Sequence, residues 1–330
     1  MKRLCALLLI VVITVPQSAF AWGNDGHMWI NYLAAKHLPK SMPSFLRESA
    51  DRLEYIGPEP DRWRNQYSEP TLKYGQEPDH FFNSEQVPAD FGPLPDGRWR
   101  FVQRCFEFRQ RALAAGMDPK KADDLLPNDI GFQPYIALEI YGRLKVAFRE
   151  YRHAKAEHRS TQTIERNIVF YAGWLGHYVG DAAQPLHVSM NYDGWRMAEN
   201  PNGYRTLKGI HYEFESKFVH ENLTRKDIEP LVKEATQVPK PWDDYQGYIK
   251  QSLTQMEPLY QLEKTGAFKD KGTPEGREFV KQRLAAGAQM AANLWYSAWL
   301  DSAVDPPDPY AQKPAASAAA PAPTTPQEKK

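Results

Sequence analysis

The chain has 330 residues, with 41 basic and 41 acidic side chains. That balance excludes a global basic field of the kind that draws a protein onto nucleic acid, so any action on a polyanion must come from a local site. The length suffices for one large domain or two small ones, and the cysteine count of two leaves little room for a disulfide framework.

Lys2 and Arg3 precede an apolar run from Leu4 to Val15, and the stretch ends Ala19, Phe20, Ala21. A charged start, a short apolar core and a small-x-small ending predict a secretory signal peptide over 1–21. The run is too short for a lasting membrane span; an uncleaved anchor is the alternative. Cleavage after Ala21 makes Trp22 the new amino terminus and leaves 330 − 21 = 309 residues, with 39 basic against 41 acidic. Cys5 departs with the signal, so Cys105 has no intramolecular partner. The predicted localisation is secreted or periplasmic, where zinc sites occur and cytosolic cofactors do not.

The body reads as helical. Gly26–Leu38, Phe101–Ala115, Tyr135–Tyr151 and Arg277–Leu300 carry three- and four-residue apolar spacing. In the last of these, Phe279, Leu284, Met290, Leu294 and Trp295 are expected in the core. Ile164, Ile168, Tyr171, Leu175 and Tyr178 predict a further helix. The segment from Gly57 to Arg100 is rich in Pro, Gly and Asp and reads mostly as loop. Beyond Asp305 an Ala/Pro/Thr-rich run to Lys330 cannot bury a core and is expected to be a disordered tail or linker. The predicted division is 1–21 signal, 22–305 one helical domain, 306–330 tail.

Five histidines stand beside distinctive partners. His177 and Asp181 are one helical turn apart on one face. Pro185 disfavours helix at Gln184 and aims His187 from a bend. His211 and Glu215 repeat the one-turn spacing, with Glu213 pointing elsewhere. His27 follows Trp22 by five residues with glycines between, and a freed Trp22 offers an amine and a carbonyl oxygen to a metal. His80 precedes Phe81 and Phe82, aromatics that serve either as core or as a stacking face for a base. Asp61 lies among Arg62 and Arg64, where a turn aspartate or helix cap is the plain alternative. His37, His153, His158 and His220 are read as surface residues. Imidazoles and carboxylates converging from helices and their ends are a zinc-holding pattern.

Taken in order, these residues resemble the zinc-dependent phospholipase C and S-one/P-one nuclease superfamily. The resemblance runs from Trp22 through Gly26 and His27, Asp61, His80 and Phe81, and His177-x3-Asp181-x5-His187 to His211-x3-Glu215. Its most specific part is Gly180 to His187. It implies an all-α, single-domain fold with a trinuclear zinc cleft; separately, no stable protein partner is evident in the sequence and a monomer is expected. It also implies that Asp61, His80, His177 and Asp181 hold one Zn2+ and that Trp22, His27 and Asp181 hold a second. His187, His211 and Glu215 would hold the third. Asp181 would bridge the first two ions, and Asp61 and Asp181 would be the catalytic carboxylates. Paired zincs lower the pKa of a shared water and clamp a phosphate in line. The implied activity is hydrolysis of single-stranded DNA or RNA to 5′-phosphate products by a metal-activated hydroxide, with Phe81 and Asn83 binding substrate. The Trp22-to-His27 spacing and Asp61-x2-Arg64 look like the nuclease branch, whereas Glu215 looks like the phospholipase branch. Asn83 stands where nucleases carry a base-binding aspartate, which puts base preference in doubt. A longer stretch separates His80 from His177 than in compact nucleases, and its helices are expected to wall the cleft. The alternatives are a phospholipase C acting on phospholipid head groups and a non-catalytic zinc-stabilised binding protein.

Overall fold

The computed structural model describes residues 22–64 and 69–306, and the expected signal segment and the tail from 307 onward lie outside them. Among the described residues there is no β-strand, only an isolated bridge between Tyr192 and Gly194. The architecture is all-helical, as the periodicity predicts.

Eight helices position the site. They are α1 (Gly23–Lys36), α2 (Ala50–Ile56), α3 (Glu59–Trp63), α4 (Arg98–Ala114), α5 (Gln133–Ala156), α6 (Gln162–Ala183), α7 (Pro241–Leu253) and α8 (Pro274–Asp301). The hub is α6, which packs against α1, α2, α5, α7 and α8. Its C-terminal half is buried on every side: each residue from Leu175 to Ala183 is shielded from solvent. A helix that is enclosed all round is a core helix rather than an amphipathic surface one, and this is what removes His177 and Asp181 from water. Leu284, Leu294 and Trp295 of α8 are fully buried as expected, while Phe279 and Met290 are partly buried against the core.

Small residues let the helices meet closely. At Gly176 a Cβ would overlap Asn31 Oδ1, and at Gly180 it would stand 3.0 Å from Ile30 and 3.2 Å from His27 Nδ1. Without a side chain at these two turns α1 lies against α6, and the His27 and His177 rings stack with centroids 3.9 Å apart.

Two expectations need correction. The segment 57–100 is not mostly loop: it holds α3, a helix at Pro70–Gln76 and tight 3-10 turns at Glu77–His80, Ser84–Gln86 and Ala89–Phe91. Pro60, Pro70 and Pro78 sit in the first turns of these elements. There the missing N–H is no loss and the fixed φ is pre-set for helix, so these prolines start helices rather than break them. Second, the helices of the long stretch between His80 and His177 do not simply wall a cleft. Ile136, Ile140, Leu144 and Phe148 of α5 are buried, and α5 packs on α6 and α8 as core. The connection between α4 and α5 reaches the cleft instead, through Asp124, Asn128 and Asp129.

Candidate metal centre

Six separate pieces of chain converge on one buried cluster. His27 comes from α1 and Asp61 from α3, His80 from the end of the Glu77–His80 turn, and His177 and Asp181 from the last turns of α6. His187 comes from the Pro185–His187 turn, and His211 and Glu215 from the helical segment 210–222. The helix α6 stops at Ala183 and Gln184 turns to extended backbone (φ −87°, ψ 116°) before Pro185, the bend expected of that proline. Glu215 lies in a π-helical stretch, Glu213–Lys217; such widened turns are rare and recur at functional sites. Glu213 pairs with Arg205 at 2.7 Å, away from the cluster.

Three groups of ligand atoms form, each with all members within 4.8 Å: His27, His177 and Asp181; Asp61, His80 and His177; and His187, His211 and Glu215. The two oxygens of Asp181 face different imidazoles, Oδ1 lying 3.3 Å from His27 Nε2 and Oδ2 3.4 Å from His177 Nε2. Asp61 lies 3.8 Å from His27 and 3.7 Å from His80. Glu215 Oε2 is 2.9 Å from His211 Nε2 and 3.5 Å from His187 Nε2. Asp79, the other carboxylate beside His80, is taken by Arg98 at 2.8 Å.

The ring nitrogens show what the cluster lacks. The Nδ1 atoms of His80, His177, His187 and His211 each meet a backbone carbonyl, of Gln76, Gly57, His80 and Tyr192, at 2.7–2.9 Å. A carbonyl only accepts, so each Nδ1 carries the proton and each neutral ring turns a bare Nε2 inward. Facing them are acceptors. His187 Nε2 and His211 Nε2 lie 3.0 Å apart, two lone pairs that need a proton or a cation between them. Among the described residues, Nε2 of His27, His80 and His177, Oδ2 of Asp61, both oxygens of Asp181 and Oε1 of Glu215 are buried without a hydrogen-bond partner. Native proteins rarely leave buried polar atoms unpaired. A concentration of orphaned nitrogen and carboxylate acceptors fits divalent cations, and the N/O donor set fits zinc. Carbonyls that fix the far side of each imidazole are the usual outer support of such ligands.

The electrostatics agree. Burial pushes the His27 imidazole down to about 4. His80 and His177 are held well below the usual histidine value, first by burial and then by the charges of Arg64 and His27 respectively. Burial drives the Asp181 carboxyl well above the ordinary carboxylate range. Burial also disfavours charge on Glu215 and His211, but their mutual attraction outweighs it: Glu215 falls to about 2 and His211 rises.

A cleft of about 670 Å³ opens onto the cluster, with His80, His187 and His211 in its lining beside Arg64, Phe81, Asn83 and Arg196. Phe81 is half-buried, and Asn83 donates from Nδ2 to the Asp129 carbonyl at 2.7 Å. Trp22 is fully buried. Its indole N–H donates to the Gly180 carbonyl at 2.7 Å, next to Asp181, and its own carbonyl accepts from Gly26 at 3.0 Å. His153 and His220 are solvent-facing, whereas His37 is half-buried on its own helix end.

Two residues to which the sequence analysis gave no role in the site shape it. Arg64 donates to Asp61 Oδ1 at 2.8 Å; burial opposes its charge, but Asp61 and Asp181 more than offset that and raise its pKa. Gln184 donates to Glu215 Oε2 at 2.8 Å. Its position was the available signal: an amide side chain after Ala182 and Ala183 and directly before Pro185.

No protein-family model matches this chain, and no characterised protein matches its sequence. Among solved structures, one that matches is the crystal structure of Clostridium perfringens alpha-toxin from an avian strain, at 12% identity and a TM-score of 0.37, covering 86% of this chain. This chain spans 64% of that protein's length.

Proposed function

We propose that the chain is a zinc-dependent phosphodiester hydrolase that cleaves single-stranded DNA or RNA to 5′-phosphate products. The observation that carries this reading is Asp181, whose two unpartnered oxygens face two different buried imidazoles, as suits a carboxylate shared by a metal pair. Asp61, His80, His177 and Asp181 would hold one zinc. His27, Asp181 and Trp22, through an amine freed by cleavage after Ala21, would hold the second. His187, His211 and Glu215 would hold the third. Zinc ions so placed supply Lewis acidity and activate water for attack on phosphorus.

The chain's own residues have separable tasks. Arg64 orients Asp61 through its hydrogen bond to Oδ1 and adds positive charge at the cleft wall, which suits a phosphodiester. Arg196 adds a further cation to the lining. Phe81 offers a ring face to a base, and Asn83 lies beside it in the same cleft. A purely structural zinc site would be closed; this cluster meets the cleft through three imidazoles, which favours catalysis over a stabilised binding protein. A phospholipase C acting on phospholipid head groups uses the same ligands, and Glu215 at the third group is the residue that speaks for it. Secretion or periplasmic export as a monomer completes the proposal.

Mature protein beginning at Trp22, loaded with zinc, should cleave single-stranded DNA and RNA and leave lecithin intact. Release of phosphocholine from lecithin without nucleic-acid cleavage would overturn the nuclease assignment. A protein that retains Ala21 should bind one zinc fewer; full zinc content in that form would refute the role of Trp22.

A further inference from the structure

We propose that Gln184 is a positioning residue that locks Glu215 to the turn presenting His187, and thereby sets the affinity of a single zinc ion. The proposal rests on reading His187, His211 and Glu215 as the ligands of that ion. Gln184 is the first residue beyond α6 and is fully buried. Its Nε2–H donates to Glu215 Oε2 at 2.8 Å. Its Oε1 accepts from the Leu186 N–H at 2.6 Å, and its backbone carbonyl accepts from the His187 N–H at 3.0 Å.

One amide thus spans two pieces of chain that are 31 residues apart in sequence. The acceptor end tightens the Pro185–His187 turn, and the donor end fixes which way the Glu215 carboxylate faces. Glu215 Oε2, the oxygen that Gln184 holds, is also the one facing His211 Nε2 at 2.9 Å and His187 Nε2 at 3.5 Å, while Oε1 is buried without a partner, so the amide holds the carboxylate with one oxygen toward the two imidazoles. Only a side chain with a donor and an acceptor on one rigid plane does both. A carboxylate in its place loses the donor, and a thioether loses both ends. The groups made by His27, Asp61, His80, His177 and Asp181 receive no hydrogen bond from the Gln184 side chain, so the effect is confined to one ion.

The test is a zinc titration against a chelating dye, with wild-type protein and Gln184→Met side by side. The expected result is three ions in the wild type and, in the variant, one ion weakened about 10–100-fold, the usual cost of losing an outer support, with the other two at wild-type affinity. Unchanged affinity for all ions, or a uniform weakening of all of them, overturns the positioning role. A wild type that binds no zinc contradicts the metal reading itself and takes this proposal with it. If Gln184→Met does not fold, the zinc-loaded crystal structure of the wild type decides. Gln184 Nε2 donating to Glu215 while that carboxylate holds the ion together with His187 and His211 supports the role, and Glu215 held by a different donor overturns it.

Discussion

Asp181 is the residue that the proposed function makes the bridge of the metal pair, although the two adjoining groups of ligand atoms meet at His177. It is fully buried, it has no hydrogen-bond donor to either oxygen, and an uncompensated carboxylate there carries a heavy desolvation cost. Asp181→Asn keeps the shape and removes the charge. It should cost both ions of the pair, so that elemental analysis falls from three zincs to one, and activity should drop by more than about 100-fold, beyond the range seen for outer supports. Unchanged zinc content would show that Asp181 does not bridge. The titration of the ligands gives a second prediction. A zinc-binding imidazole must be unprotonated, and His27, depressed to about 4, meets that condition throughout pH 5 to 8. His211 is raised above its ordinary 6.5, so protons compete for it up to and beyond that pH. Zinc affinity at the third group should therefore rise with pH through 6.5 and upward, while His27 begins to compete only near pH 4. Calorimetry between pH 5.5 and 8 that finds affinity independent of pH would contradict this.

The helix α6 organises the site because its close contacts are made by residues without side chains. Gly176→Ala forces a methyl into Asn31, whose amide donates to the Leu53 and Gly173 carbonyls at 3.1 and 2.9 Å. It should destabilise the protein by about 1–3 kcal/mol, read as a lowered thermal midpoint. Gly142, within α5, meets nothing within 4 Å; Gly142→Ala should instead stabilise by about 0.5–1 kcal/mol, the helix-propensity difference. Equal effects at the two positions would refute the packing argument. The element scale is also where sequence reading succeeded and failed. The placement of His177 and Asp181 together was legible because a 3.6-residue period puts them on one face, and Pro185 marks the bend before His187. The carbonyls of Gly57, Gln76 and Tyr192 that hold the imidazoles were not legible, since every residue carries a carbonyl and only the fold selects these. The Gly57–Arg100 segment misled because proline starts a helix as readily as it ends one, and the local pattern does not say which. The π-helical turn at Glu215 has no signature in the spacing His211-x3-Glu215, which an ordinary α-helix satisfies equally well.

At the scale of the molecule, the cluster sits at the junction of α1, α3, α6 and the 210–222 segment, so a metal bound there would tie together parts of the chain from residue 27 to residue 215. A cation that binds only the folded state stabilises it by mass action, about 4 kcal/mol at a thousandfold excess over Kd. Chelation should lower the thermal midpoint and zinc should restore it, with manganese or magnesium weaker at a nitrogen-rich site. The most direct test of the account is the zinc content of the mature chain beginning at Trp22, measured by elemental analysis after dialysis together with its activity on single-stranded DNA. The account predicts three zinc ions per chain, and cleavage that chelation abolishes and zinc restores. A folded protein that binds no zinc, or one that holds three ions and hydrolyses no phosphodiester, would contradict it.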